Sequence, residues 1–293
     1  VKLRKIMVLG LVGALLAGAL ALTGCGGTDQ TSEEPTTEKP AEQLSGTINI
    51  QGSDTMLNIA TAWSEAFMDE NPGVEVSVQG GGSGTGIAAM INGTVDFANA
   101  SREMKEEEIA EAQSKGINPV EHKVAIDGIA VIVNPANPVT GLSKDQLGAI
   151  YRGEIKNWKE VGGPDKPIVL LSRDSSSGTY EYFKEEVVGK DKEYAASAKL
   201  LPATQAIVDE VVANDAAIGY VGLGYVTPEV KVLAIDGVVA SIETAANGTY
   251  PISRYLYMYS NGEPTGVMAA YLEWILGEEG QKLVADEGFV PLP

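Results

Sequence analysis

A chain of 293 residues with 44% hydrophobic content is long enough for one large domain or two modest ones, each with its own core. Its 21 lysines and arginines face 40 aspartates and glutamates, a formal net charge of -19. That balance excludes the clustered basic surface that nucleic-acid binding requires and the long-range steering of an anion. Any anion site must therefore be local, made of hydrogen bonds and one or two positive groups.

The chain opens on Lys2, Arg4 and Lys5, followed by an apolar run from Ile6 to Leu22. This pattern predicts a secretion signal. It closes on Leu22-Thr23-Gly24-Cys25, which resembles the bacterial lipobox, and Cys25 is the single cysteine of the sequence. Residues 1–24 are thus expected to be a lipoprotein signal peptide, with Cys25 as the lipidated residue. An uncleaved membrane-spanning helix accounts for the apolar run but not for the cysteine that ends it. The stretch Gly26 to Ser45, "GGTDQTSEEPTTEKPAEQLS", has no aromatic and almost no apolar residue, so it cannot bury enough surface to offset its ordering. Residues 25–45 read as the lipid-bearing cysteine and a disordered tether.

From Gly46 onward strand-like and helix-like segments alternate, the pattern of an α/β protein. One local arrangement occurs three times. "GTINI" is a strand, "QGSDT" a loop, and Met56, Ala60, Trp63 and Phe67 recur at helical spacing. Val74, Val76 and Val78 alternate, "QGGGSGTG" follows, and "IAAMING" reads as a short helix. Finally "PIVLL" leads through "SRDSSSGT" into "YEYFKEEVV". Each loop delivers Ser or Thr to a helix start, where unpaired N–H groups and a partial positive charge favour an anion. Taken singly, each reads more readily as an ordinary cap worth about 1 kcal/mol; the recurrence is what favours an anion. The third alone adds an arginine, Arg173, whose planar fork can grip an oxyanion.

Enzyme readings find little support. "GGGSGTG" lacks the P-loop lysine, and neither Ser83 nor Ser177 sits in Gly-x-Ser-x-Gly. The one histidine, His122 in "EHKVAI", is expected at a strand edge, which leaves a triad or a multi-histidine metal site without members. "KEEEIAEAQSK" is expected to be an amphipathic helix with a solvated acidic face, and its glutamates are given no chemistry.

In this order, "GSDTM", "QGGGSGTG", "DFANASR", "AIDGIAVIVNP", "LSKDQLGAIYRGEIKNW" and "SRDSSSGTY" resemble the solute-binding lipoproteins of bacterial phosphate-specific ABC transporters, from about Gly46 to Pro293. The resemblance implies a two-lobed α/β periplasmic-binding-protein fold of type II-like form, with mixed sheets flanked by helices and a ligand cleft between the lobes. It implies a monomer, lipid-anchored on the outer face of the cytoplasmic membrane. That monomer captures inorganic phosphate without cofactor, metal or covalent chemistry, and delivers it to a permease and, through it, to ATPase subunits. Residues 46–127 with 255–293 are expected to form lobe 1, and residues 128–254 lobe 2.

Carried over motif by motif, the phosphate-binding residues are Ser53, Thr55 and the Met56 N–H; Ser83 with Gly84 and Thr85; and Arg173, Ser177, Gly178 and Thr179. Asp174, Ser175 and Ser176 are expected to be scaffold. Many relatives end the "DFGAS" strand with an aspartate that accepts a proton from phosphate, where this chain has Ser101 followed by Arg102, both expected at the phosphate site because they follow a strand as the other loops do. Two substitutes are open. Asp127 or Asp54 can act as acceptor, or Arg102 can bind the anion directly, against the plainer readings of Asp127 as a turn residue and of Arg102 as an ion pair with Glu103 or Glu106. Without a free carboxylate acceptor, discrimination against sulfate should weaken. A binder of sulfate, molybdate or tungstate is therefore the alternative, ahead of a secreted phosphatase and of an adhesion or signalling protein on the same fold.

Overall fold

Alternating burial of Ile48 and Ile50 makes Gly46–Gly52 the first strand (β1), and the helical spacing of Ile59, Ala60, Trp63 and Phe67 buries one face of Leu57–Glu70 (α1) against it. The computed structural model describes residues 44–293. The signal segment, the lipobox with Cys25, and all but the end of the expected tether lie outside the described residues. Leu44, at that end, already packs against the core.

The chain continues through Val74–Gln79 (β2), Ser83–Ile91 (α2), Phe97–Ala100 (β3), Glu106–Ser114 (α3) and the long Pro119–Val133 (β4). Next come Gly141–Leu142 (β5), Lys144–Tyr151 (α4), Val169–Arg173 (β6), Gly178–Phe183 (α5), Lys199–Leu201 (β7), Thr204–Ala213 (α6) and Ala217–Gly222 (β8). The last elements are Lys231–Val232 (β9), Ala234–Ile235 (β10), Ile242–Ala246 (α7), Ser253–Asn261 (β11), Gly266–Leu276 (α8) and Glu278–Asp286 (α9).

One mixed nine-stranded sheet runs through the molecule in the order β2-β1-β3-β11-β4-β8-β6-β7, with β9 also on β4; β5 and β10 form a small ribbon. The reason is the length of β4. Its 15 residues span about 50 Å, enough to pass from one core to the other. Residues 119–128 of β4 pair antiparallel with β11, and residues 129–133 with β8.

Three buried clusters share this sheet, and one of them, with Ile87, Met90, Ala98, Ala100, Ala112 and Tyr257, packs α2 and α3 onto β3 and β11; the other two are the main cores. Ile48, Trp63, Phe97, Val124, Ala125 and Leu256 belong to the first, which α8 and α9 close through Tyr271, Ile275 and Val284. Residues 129–133, with Trp158, Leu171, Phe183, Tyr220 and Ile252, belong to the second. The change of core falls between Ala125 and Ile129 on β4 and between Ile252, just before β11, and Leu256 on it. Between those limits Asp127 and Arg254 stand directly opposite each other. Among the described residues, no helix is long and apolar enough to cross a membrane.

Candidate functional site

In each half the chain steps first to one side of a central strand and then to the other. β1 lies between β2 and β3, and β6 between β7 and β8. Such reversals open crevices beyond the carboxyl ends of the parallel strands, where ligands bind in open α/β sheets. The loops at these ends carry the serines and threonines expected from the sequence, and the two halves bring them together.

Five buried hydroxyls meet there. Ser53 Oγ donates to Ser101 Oγ at 2.9 Å, Ser83 Oγ and Ser101 Oγ share a hydrogen at 3.2 Å, and the Ser101 N–H donates to Ser83 Oγ at 3.0 Å. Thr55 and Thr179 hydroxyls share a hydrogen at 2.7 Å across the boundary, and Thr179 stands 3.4 Å from Ser101. Gly178 is required for this closeness: a Cβ there would lie 2.3 Å from Ser83 Oγ and 2.8 Å from Ser101 Oγ. A hydroxyl both donates and accepts, so the cluster can present several adjustable donors to a small oxyanion while also accepting a proton from one.

The arginine closest in bonding to this cluster is one that sequence reasoning did not single out. Arg254, on β11, donates Nη2–H to Thr179 Oγ1 at 2.8 Å and Nη1–H to the Ser101 carbonyl at 2.6 Å. Its Nε and Nη2 also donate to Asp127 Oδ2, at 3.3 and 3.0 Å, and the guanidinium lies 5.4 Å over the Tyr182 ring. Asp127 is fully buried and takes the Leu223 N–H on Oδ1. Burial pushes its carboxyl up from the ordinary aspartate value, and the charge and hydrogen bonds of Arg254 pull it back only in part. Asp127 is thus no turn residue; both of its oxygens are engaged. The signal available in the sequence was an arginine inside the alternating "ISRYLYMYS", a strand otherwise destined for burial.

Arg173 is buried as well, but it faces other partners. It donates to Asp54 Oδ2 and the Pro202 carbonyl at 2.8 Å, to Thr204 Oγ1 at 2.6 Å, and to the Leu201 carbonyl at 3.2 Å. Asp54 belongs with the first core's loop and Arg173 with the second core's strand, so this pair ties the halves together. Asp54 Oδ1 accepts the Gly81 N–H as well. Arg102 departs from expectation too. Its fork closes on the Glu108 carboxylate at 2.7 and 2.8 Å, with Nη1 also on the Glu103 carbonyl, rather than on the Glu103 or Glu106 carboxylate, because the first turn of α3 returns Glu108 to it. That glutamate, expected to be solvated, is half-buried. Burial raises its carboxyl, yet the Arg102 bond, the Lys105 N–H and both positive charges outweigh burial and leave it below the ordinary value.

The remaining expected residues divide. Ser177 is buried as the cap of α5, accepting the Tyr180 N–H. The Met56 N–H donates to the Ser53 carbonyl while its side chain enters the first core, and the Gly84 N–H donates to the Ser176 carbonyl. Thr85 is exposed: the helical turn of α2 that buries Ser83 carries Thr85 to the solvent face. Ser176, taken as scaffold, joins the halves by donating to the Gly81 carbonyl. His122 lies on the part of β4 where β11 is its one partner strand, and it shares a hydrogen with Ser260 at 2.8 Å, outside the hydroxyl cluster. Among the described residues no group of His, Cys, Asp and Glu is arranged to hold a metal. A cavity of about 710 Å³ has Arg102, Tyr182, Arg254 and Tyr257 in its wall beside several glutamates and lysines, and none of the five hydroxyl-bearing residues.

Comparison with known proteins shows the family. A family model described as a PBP superfamily domain matches residues 37–279. The phosphate-binding protein PstS of Bacillus subtilis (strain 168) is 35% identical over 99% of this chain and 95% of its own length. A crystal structure from Clostridium perfringens, described as a phosphate ABC transporter substrate-binding protein with bound phosphate, superposes with a TM-score of 0.80. It is 35% identical and covers 85% of this chain and 100% of its own. An ABC-type phosphate transport receptor from Vibrio cholerae superposes with a TM-score of 0.70 at 31% identity, covering 84% of this chain and 100% of its own.

Proposed function

The chain belongs to the PBP superfamily and, within it, to the PstS phosphate-binding proteins, and on that footing we propose that it captures inorganic phosphate in the cluster of Ser53, Thr55, Ser83, Ser101 and Thr179 and delivers it to an ABC transporter permease. The observation that carries this reading is the meeting of hydroxyls from both halves across the boundary. A ligand held between two halves favours the conformation in which both touch it, so capture and release follow from differential contacts rather than from covalent chemistry.

No enzymatic step is assigned. The hydroxyls bond to one another instead of to a base, and His122 is spent on Ser260. The sequence pattern ending at Cys25 supports a lipid anchor on the outer face of the cytoplasmic membrane, with the polar stretch after it as a tether and the body acting as a monomer beside permease and ATPase subunits.

Selectivity keeps a second reading in view. Asp127 and Asp54 both accept from arginines, so neither is an unengaged carboxylate that would repel a fully ionised oxyanion. The preference for phosphate then rests on hydroxyls able to accept the proton of the monohydrogen ion, which sulfate lacks. Titration calorimetry should find one phosphate site per chain, tighter than that for sulfate. No phosphate binding, or equal affinity for the two, would contradict the proposal.

A further inference from the structure

Resting on the phosphate reading above, we infer that Arg254, rather than Arg173 or Arg102, is the positively charged group that contacts the bound anion. Among the described residues it is the one arginine hydrogen-bonded to a member of the hydroxyl cluster. Its partner there, Thr179 Oγ1, is a neutral hydroxyl that also bonds Thr55. An anionic oxygen arriving at the cluster can take over the Nη2–H from that hydroxyl and makes the stronger, charge-assisted acceptor.

Arg173 also gives an N–H to a neutral hydroxyl, Thr204, but that hydroxyl lies outside the cluster. Its Nη2 is committed to the Asp54 carboxylate and the Pro202 carbonyl, and its remaining partners Thr204 and Leu201 belong to the second half's scaffold. Arg102 is held by the Glu108 carboxylate through both terminal nitrogens.

Two further features converge on Arg254. The guanidinium is aimed by cross-strand Asp127 and by the Tyr182 face, and the Tyr182 hydroxyl is itself tied to the Ser253 carbonyl. It also stands in the wall of the 710 Å³ cavity, whereas Arg173 does not. The position therefore combines charge and fixed direction beside the hydroxyls with a place in the cavity wall.

Phosphate titrations of the wild-type protein, Arg254→Lys, and the charge-balanced double variant Asp127→Asn/Arg254→Gln test the assignment. The double variant avoids leaving Asp127 as an uncompensated buried charge, and urea unfolding with a wild-type slope verifies its fold. Its phosphate affinity should fall about 10- to 150-fold, the range for a lost charge-assisted hydrogen bond. Arg254→Lys keeps the charge opposite Asp127 but not the planar fork, and should bind with intermediate affinity. If the wild type binds phosphate and either variant matches it within about twofold, the assignment is overturned and the phosphate reading stands. A wild type that binds no phosphate overturns both.

Discussion

Arg254 and Arg173 form two buried arginine–aspartate pairs near the boundary between the same two cores, and they do different work. The Arg254 pair sits on the continuous sheet, where β4 and β11 hold Asp127 and Arg254 in register and no exposed surface reaches the carboxylate. The Arg173 pair spans two loops, and the Asp54 side chain keeps 12% of its exposure. What separates them is the identity of the other partners. Arg254 spends its spare N–H groups on the Thr179 hydroxyl and the Ser101 carbonyl, within the cluster, and Arg173 spends its own on the Thr204 hydroxyl and the Leu201 and Pro202 carbonyls, outside it. A buried arginine near a ligand site is therefore assigned by where its uncommitted or exchangeable donors point, not by its charge.

The largest effect expected from this contrast is on stability. Arg254→Ala leaves a fully buried carboxylate without its partner and should cost about 3–5 kcal/mol. Arg173→Ala should cost less, because Asp54 retains water and the Gly81 N–H. Urea unfolding of the two variants orders them, and a greater loss in Arg173→Ala would break the distinction.

A smaller effect should follow from Gly178→Ala. The added methyl would press on Ser83 and Ser101, so the halves would have to part where the hydroxyls meet. Overpacking of this kind costs about 1–3 kcal/mol, and it should appear as weaker phosphate binding. Unchanged affinity would show that the close approach is dispensable.

The smallest effect concerns the third pair, Arg102 with Glu108, at the rim of the cavity. Glu108 has a lowered carboxyl value in the folded protein, below the ordinary 4.5. Its contribution is therefore present above about pH 4.5 and is lost as pH falls through the lowered folded value. The stability difference between wild type and Glu108→Gln should be on the order of 1 kcal/mol or less near neutrality and should vanish in acid. A difference that persists below the folded value would show that the pair's charge is not its source.

Much of this was legible in the sequence because local chemistry repeats. The alternation in "GTINI" and the spacing of Ala60, Trp63 and Phe67 mark β1 and α1 without reference to the rest of the chain. The three Ser- and Thr-bearing loops mark the ends that meet. The pairing of distant charges was not legible, since it depends on register. Asp127 and Arg254 are far apart in sequence and face each other only because β4 and β11 run antiparallel along the boundary. Arg173 was read as the anion's grip because it follows a strand and precedes hydroxyls. The competing acceptors Asp54, Thr204 and the Leu201 and Pro202 carbonyls come from other loops. Thr85 was misplaced for a simpler reason: two residues along a helix is about half a turn, so it cannot share the buried face of Ser83.

The most direct test is a crystal structure of the phosphate complex, read for the distances from the phosphate oxygens to the two guanidinium groups. The account predicts an Arg254 nitrogen and the hydroxyls of Ser53, Thr55, Ser83, Ser101 and Thr179 around the anion at roughly 2.7–3.0 Å, with Arg173 still on Asp54. Phosphate gripped by Arg173, with Arg254 still bonded to Thr179, would contradict it.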